Sequence, residues 1–374
     1  SFKWEDIEVA TIQERFDFDT YTFSYLLNAL VKCGKACEAK KTIISNDQYS
    51  TVNCTIAIKG LSDQGLYDEA YELFEEMKVK ENCQPNLITY NTVLNFLVVK
   101  GDFSKVQIVM ESMRAQRNIG VDLISVSTFI KGLFKNHKHE EAFEFFLKIK
   151  NENEVEIDEV LYNIMMDGFV RANQPNKAIA IYNEMIESGK EGSKVTYSIL
   201  VRVYNSLNRF DDILNVIKEL KQKGEDIGKV VYTCVLTSCK KFARFDVIED
   251  LYDEMKDENS IDEIAVNLLA ASFLISENSL KASEVIVESF RRDIVPRSRV
   301  TKSVLTLLCK EASKILECVE KKSEFFLYER AILSICAQLH KKNLELEPKI
   351  IKEIVKVICR KRCIEMGINL SSVH

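Results

Sequence analysis

The sequence predicts an all-α protein, a right-handed superhelical solenoid of helix-turn-helix repeats of about 35 residues. Three observations carry that expectation. Only 4 prolines and 12 glycines occur in 374 residues, too little punctuation for a β-sandwich or an alternating α/β fold. The chain is 46% hydrophobic and 29% charged, the balance of an ordered soluble protein rather than a disordered one. Finally, the chain repeats itself. "TYTFSYLLNALVKCGKACEA" from Thr20, "LITYNTVLNFLVVKGDFSKV" from Leu87 and "EVLYNIMMDGFVRANQPNKA" from Glu159 align without a gap.

Taken in order, residues 1–19 form a lead-in to the first repeat, acidic and without Met. They match neither a signal peptide nor an Arg- and Ser-rich transit peptide, so no targeting segment is expected in this chain. Eight units follow, at 20–50, 51–86, 87–122, 123–158, 159–193, 194–228, 229–262 and 263–297. Their fourth positions (Phe23, Cys54, Tyr90, Val126, Tyr162, Tyr197, Tyr232, Val266) recur at steps of 31 to 36 residues. Each unit carries two apolar patterns of helical period. Helix A covers roughly positions 2 to 13, and a short polar loop follows, marked by Gly34, Gly65 or Gly101. Helix B passes a small residue at position 20 (Ala39, Ala70, Ala142, Ala178, Ala282), which lets two backbones approach closely. One hairpin cannot bury its own apolar face, so neighbours must stack. Residues 298–374 lose the pattern and read as three or four further helices, a divergent cap. In the last of them Lys349, Lys352, Lys356 and Arg360 lie along one stripe.

Several function classes are excluded. No run of about 18 apolar residues is available to span a membrane. The 11 cysteines show no disulfide framework and no CxxC, and the four histidines complete no zinc site, so no metal or cofactor is expected and the cysteines read as buried free thiols. No deaminase signature, HExxH or phosphate-binding GxxxxGK[ST] occurs, which points to a binder rather than an enzyme.

A pair of helices every 34 to 36 residues could belong to the tetratricopeptide class, whose units want a small residue at the eighth position of helix A. Here that position holds Leu27, Ile58, Leu94, Ile130, Met166, Val201, Leu236 and Ala270. This counts against a peptide-binding scaffold of that type. "YDEAYELFEEMKVKENCQPN" followed by "LITYNTVL" instead resembles the pentatricopeptide repeat of the P type, over about three quarters of the chain.

Position 5 of the units is Ser24, Thr55, Asn91, Ser127, Asn163, Ser198, Thr233 and Asn267, always a short side chain that both donates and accepts hydrogen bonds. Position 2 is Tyr21, Val52, Ile88, Ile124, Val160, Val195, Val230 and Ile264, always apolar. On a helix the two flank one edge. Caps and simple packing are the structural alternative; eight occurrences of eight, inside the helix, favour a face that reads a polymer.

The resemblance implies that single-stranded RNA lies along the A helices. Val52, Ile88, Ile124, Val160, Val195, Val230 and Ile264 would sandwich bases. Position 5 and the last residue of the unit would address each base edge, in the pairs Thr55/Asn86, Asn91/Asp122, Ser127/Asp158, Asn163/Ser193 and Thr233/Asp262. The family's pairing tendencies imply A, U, G, C and G, a site such as 5′-AUGC-x-G. Ser198/Gly228 and Asn267/Arg297 fit no usual pair, and Ser24 has no clear partner. The resemblance also implies an organellar setting, most often a mitochondrion with the plastid as alternative, and a role in transcript stabilisation, processing or translation. The rival reading is a structural subunit of a mitochondrial ribosome or similar ribonucleoprotein assembly, with ribosomal partners.

The net charge of −6 and pI of about 5.6 lean against a nucleic-acid partner until the charges are sorted by helix. Positions 2–14 carry nine basic side chains against Asp63 and Asp167, a net +7, whereas positions 17–29 sum to −11. Lys100, Lys135, Arg171, Arg202, Lys240 and Lys241 are thus the candidates to face phosphates. A partner responds to the local field rather than to the net charge.

Overall fold

The computed structural model describes residues 20–116, 119–152, 155–224, 226–317 and 322–365. The lead-in at 1–19 lies outside them. Among the described residues all regular structure is α-helical, in 19 helices. The chain divides into two compact units, Ser1–Glu191 and Gly192–His374. The first holds α1 (Thr20–Lys32), α2 (Ala36–Ser45), α3 (Thr51–Asp63), α4 (Tyr67–Val79), α5 (Leu87–Lys100), α6 (Phe103–Ala115), α7 (Leu123–Lys135), α8 (His139–Glu152), α9 (Glu159–Arg171) and α10 (Pro175–Glu187). The second holds α11 (Lys194–Ser206), α12 (Phe210–Gln222), α13 (Lys229–Lys241), α14 (Asp246–Asp257), α15 (Glu263–Ile275), α16 (Ser279–Arg291), α17 (Ser298–Glu317), α18 (Lys322–Lys341) and α19 (Pro348–Glu365). Odd numbers through α15 are A helices and even numbers through α16 are B helices.

Local chemistry sets the helix ends. The residue before most A helices caps it: Ser50, Asn86, Asp122, Asp158, Ser193 and Asp262 each accept a backbone N–H of the first turn. At the other end, position 15 of all eight units is left-handed, at Gly34, Gly65, Gly101, His137, Asn173, Asn208, Ala243 and Glu277. The next residue then donates its N–H to the carbonyl five residues back, as Asp102 does to Leu97 at 3.0 Å and Asn278 to Phe273 at 2.8 Å. Three glycines announce this turn in the sequence; the other five units build it with residues that have a Cβ. Ala243 (φ 54) has neither glycine's freedom nor a side chain that stabilises the bend. Ala243→Gly is therefore expected to stabilise the second unit by about 0.5–1 kcal/mol, read as a raised urea midpoint at unchanged slope. An unchanged or lower midpoint would show that the bend is unstrained.

The core of each unit repeats position by position. Positions 4 and 8 are buried in every A helix, from Phe23 and Leu27 to Val266 and Ala270. Ala39, Ala70, Ala142, Ala178 and Ala282 are wholly buried on the B helices, with Met77, Met113, Met185 and Met255 deeper along the same face. Aromatic edges tie consecutive hairpins: Phe74 meets Tyr90 at 5.5 Å and 80°, and Phe146 meets Tyr162 at 5.6 Å and 69°.

Within each unit successive A helices pack directly on one another, α1 on α3, α5 on α7, α11 on α13 and α13 on α15. B helices reach one another through long side chains instead, as in Lys40–Glu72 (3.0 Å) and Lys177–Glu140 (2.6 Å). Such exposed pairs are each worth at most about 1 kcal/mol. The acidic surplus of the B helices thus sits on a solvated face.

Residues 298–365 follow the eight repeats as the sequence's further, divergent helices. Their described residues form three helices, and the row of A helices continues, α15 packing on α17 and α17 on α19, while α18 packs directly on α16, unlike the B helices of the repeats. Packing survives here because it needs only the buried stripe, which Val304, Leu305, Leu308 and Ala312 maintain. The expectation of buried thiols is also corrected in part. Cys54, Cys83, Cys239 and Cys309 are buried, but Cys33, Cys37 and Cys359 sit on solvent-facing sides of their helices or turns. Cys54 and Cys83 meet at 3.4 Å, and burial pushes the Cys54 thiol well above its ordinary range, which keeps it protonated and unreactive.

Candidate nucleic-acid interface

Each A helix buries positions 4 and 8, so positions 2, 6, 9 and 13 fall on its opposite side. All eight position-2 side chains are exposed, from 55% at Ile264 to 79% at Tyr21. An isolated exposed aliphatic is ordinary. Val52, Ile88, Ile124 and Val160 in the first unit, and Val195, Val230 and Ile264 in the second, are instead exposed at one register of consecutively packed helices. They leave an apolar ladder uncovered by the fold. Tyr25, 75% exposed one turn after Tyr21, adds a second aromatic in the first repeat.

Position 5 lies at the edge of that ladder and is half-buried or buried throughout. Its hydrogen bonds differ between repeats because position 3 of the following repeat differs. Ser24 donates to Asn53 Oδ1 at 2.8 Å, Thr55 and Thr89 share a hydrogen bond of 2.7 Å, and Asn91 Oδ1 accepts from Ser125 at 2.7 Å. Asn53, Thr89 and Ser125 all occupy position 3 and are fully buried. Ser127 is followed by Leu161, Ser198 by Val231 and Thr233 by Ala265, none with a polar side-chain group to offer. Ser198 and Thr233 then donate to carbonyls of their own helix, Val195 at 2.7 Å and Lys229 at 2.8 Å. Asn163 donates to Glu159 at 2.8 Å, and its buried Oδ1 finds no hydrogen-bond partner among the described residues. Asn267 donates to the Glu263 carbonyl and accepts the Arg297 N–H at 2.9 Å.

The last residue of a unit proves to be the N-cap of the next A helix. Asn86, Asp122, Asp158 and Asp262 accept the N–H of Thr89, Ser125, Leu161 and Ala265 at 2.7 to 2.9 Å, and Ser193 that of Val195 at 3.2 Å. A capping carboxylate uses one oxygen and leaves the other available. In the third repeat the two predicted partners meet, Asn91 Nδ2 lying 3.3 Å from Asp122 Oδ2. In the second, Thr55 and Asn86 join through Thr89, whose hydroxyl donates to Asn86 Oδ1 at 2.9 Å. Asn163 and Ser193 belong to different units. Gly228 has no side chain with which to cap α13.

The cations are unequal. Lys100 pairs with Asp68 and holds that carboxyl below its ordinary range. Arg171 pairs with Asp167 at 2.7 Å, Lys241 donates to Asn208 at 3.0 Å, and Arg202 is also engaged. Lys135 and Lys240 are exposed and make no ion pair among the described residues. Lys59 and Lys131, at position 9 and two helical turns beyond position 2, are exposed as well. Their spacing of seven from Val52 and Ile124 was the signal that marks them as part of this surface. Among the described residues no group of three or more His, Cys, Asp or Glu is placed to hold a metal ion, and no helix is long and apolar enough to cross a membrane.

Comparison with known proteins identifies the repeats and the fold. The family model described as PPR repeat family matches residues 50–117 and 157–206, and that described as PPR repeat matches 124–154, 195–225 and 230–260; together they cover more than half of the chain. A chloroplastic pentatricopeptide repeat-containing protein of Arabidopsis thaliana is 23% identical over 175 residues, 46% of this chain and 22% of that protein. A mitochondrial one, described as putative and from the same plant, is 25% identical over 192 residues, 50% of this chain and 22% of that protein. The chain thus spans about a fifth of the length of these relatives. In fold it is similar to the pentatricopeptide repeat protein PPR10 solved in complex with an 18-nt psaJ RNA element, with a TM-score of 0.56 at 16% identity, over 88% of this chain and 47% of that one. By its repeats and its fold, the chain belongs to the pentatricopeptide repeat family.

Proposed function

We propose that this chain binds single-stranded RNA with sequence selectivity, one base per repeat, and acts in organellar RNA metabolism without catalysing a reaction itself. The observation that carries the reading is the pairing of an exposed apolar side chain at position 2 with a polar one at position 5 in all eight repeats. An apolar side chain left in water between neighbouring helices suits the face of a base, and stacking contributes about 1–3 kcal/mol per base. A half-buried hydroxyl or amide beside it can discriminate base edges, because a wrong base leaves that group unpaired. The RNA complex of PPR10 and the organellar names of the plant relatives support the same reading. The mitochondrion is the proposed compartment, and stabilisation, processing or translation of a transcript the proposed process.

The test is binding of the purified chain to labelled AUGC-x-G RNA and to a scrambled RNA at two salt concentrations. The expected result is a preference for the designed site of at least about tenfold, or 1.4 kcal/mol, reduced when Asn91→Ala and Asn163→Ala are combined. Equal, weak and salt-sensitive binding to both RNAs would overturn the base-reading proposal and direct attention to a ribonucleoprotein assembly that holds the solenoid as a structural subunit.

A further inference from the structure

We propose that the ninth helical hairpin ends the base-facing row in a phosphate clamp: the cleft between α17 and α19 takes phosphodiester groups of RNA flanking the read site, whatever their sequence. The proposal rests on the RNA-binding reading above. Counting on 35 residues from Glu263 places Ser298 at position 1 of a ninth unit, and the frame holds, since Thr301 at position 4 and Leu305 at position 8 are buried. Its solvent stripe differs in kind from the eight before it. Position 2 is Arg299 rather than an aliphatic, position 5 is Lys302 rather than Ser, Thr or Asn, and position 13 is Lys310.

These residues line a cleft of about 720 Å³, whose other wall carries Lys349, Glu347 and Glu353 from α19 and the turn before it. Lys302 is tied to Glu347. Arg299, Lys310 and Lys349 are exposed and make no ion pair among the described residues, leaving a surplus of positive charge around an open space. The hydroxyls of Ser303 and Thr306 donate to the carbonyls of Arg299 (3.0 Å) and Lys302 (2.9 Å), so they are not free to donate to a base edge. Besides Leu307, Ile350 and Glu353, the lining that remains is cationic, and position 2 offers no apolar side chain to stack on. Such a lining suits phosphate oxygens, which carry no sequence information. RNA is favoured over an acidic protein segment by continuity: α15, α17 and α19 pack in succession, so a strand following the A helices runs into the cleft.

The experiment compares AUGC-x-G RNA alone with the same RNA extended by a few nucleotides of arbitrary sequence at either end. The proteins are the wild-type chain and the triple variant Arg299→Gln, Lys310→Gln, Lys349→Gln, whose substitutions are all at exposed positions. Extension at one end is expected to tighten wild-type binding about tenfold at low salt and to steepen the log–log salt slope by about 0.7 for each phosphate engaged. The triple variant should bind the short RNA as wild type does and gain nothing from the extension. A gain that survives in the triple variant, or no gain in the wild type while the short RNA binds, overturns this proposal alone. Failure of the short RNA to bind overturns the RNA-binding reading with it. A poly-glutamate peptide that binds the wild type more tightly than the extension does, and loses binding in the triple variant, would assign the cleft to an acidic protein partner and overturn the clamp.

Discussion

Gly132→Ala is expected to destabilise the first unit by about 1–3 kcal/mol, the reverse of the roughly 1 kcal/mol gain that helix propensity alone dictates. A Cβ on Gly132 would sit 2.0 Å from Val98 Cγ1, where α7 packs on α5, far inside contact distance. Val98 is 5% exposed, and a β-branched side chain in a helix has one strongly preferred rotamer, so it cannot swing away at little cost. The helices must part or the backbone must bend. The same fit recurs where Gly60 meets Val31 at 2.5 Å and Gly168 meets Phe134 at 2.5 Å. Each glycine holds position 10 and each partner position 12 of the repeat before. A double-mutant cycle with Val98→Ala isolates the contact. Val98→Ala alone leaves a void, but beside Gly132→Ala the new methyl fills part of it, so the two changes together should cost at least about 1 kcal/mol less than their sum. Additive costs measured by urea unfolding would mean that the close approach is not what Gly132 supplies. A parted α5–α7 step would also lengthen the spacing between Ile88 and Ile124, so RNA affinity should fall with stability in Gly132→Ala and recover in the double variant.

The repeat was legible because burial imposes it. A side chain at position 4 or 8 touches the core in every unit, and the apolar period shows that directly. The left-handed turn at position 15 was half legible: Gly34, Gly65 and Gly101 announce it, whereas Ala243 and Glu277 adopt it against the preference of residues with a Cβ. The division between Glu191 and Gly192 left no mark, since the repeat period runs through it unchanged.

At the candidate site the series of residue types at positions 2 and 5 could be read, but their surroundings could not. Asn91 accepts from Ser125, 34 residues on, as well as meeting Asp122, and no local pattern links it to Ser125. The capping role of Asp122 was visible in principle, as an Asp immediately before an apolar helical run. Treating it only as a reader of base edges overlooked that one of its oxygens is already engaged. Nor does residue type reveal which lysines are neutralised by a neighbour: Lys100 and Lys135 look alike in sequence, and only Lys100 has an acidic partner, Asp68, one hairpin back.

That double role shapes the last prediction, the recoding of the third repeat. Asn91→Thr with Asp122→Asn would give it the Thr and Asn pair that the second repeat carries at Thr55 and Asn86. The change is structurally mild. Asn caps a helix as well as Asp does, and Asn86 already does so for α5 with the same acceptance of a position-3 N–H. Position 3 also offers a hydroxyl in both places, Thr89 in one and Ser125 in the other, so the bridge from Thr55 through Thr89 to Asn86 has its counterpart. The edge presented to a base changes more. Asn91 with Asp122 presents a carboxylate beside an amide, whereas Thr with Asn presents a hydroxyl beside an amide and removes one negative charge. The expected result is that the wild type prefers U at the second base of AUGC-x-G and the double variant prefers A there, each by about tenfold or more, with other positions unaffected. Binding of both proteins to both RNAs, together with equal urea midpoints, checks this. A uniform loss of affinity would mean that Asn91 and Asp122 brace the α5–α7 step without reading a base. An unchanged preference would mean that the base at this repeat is chosen by something other than this pair.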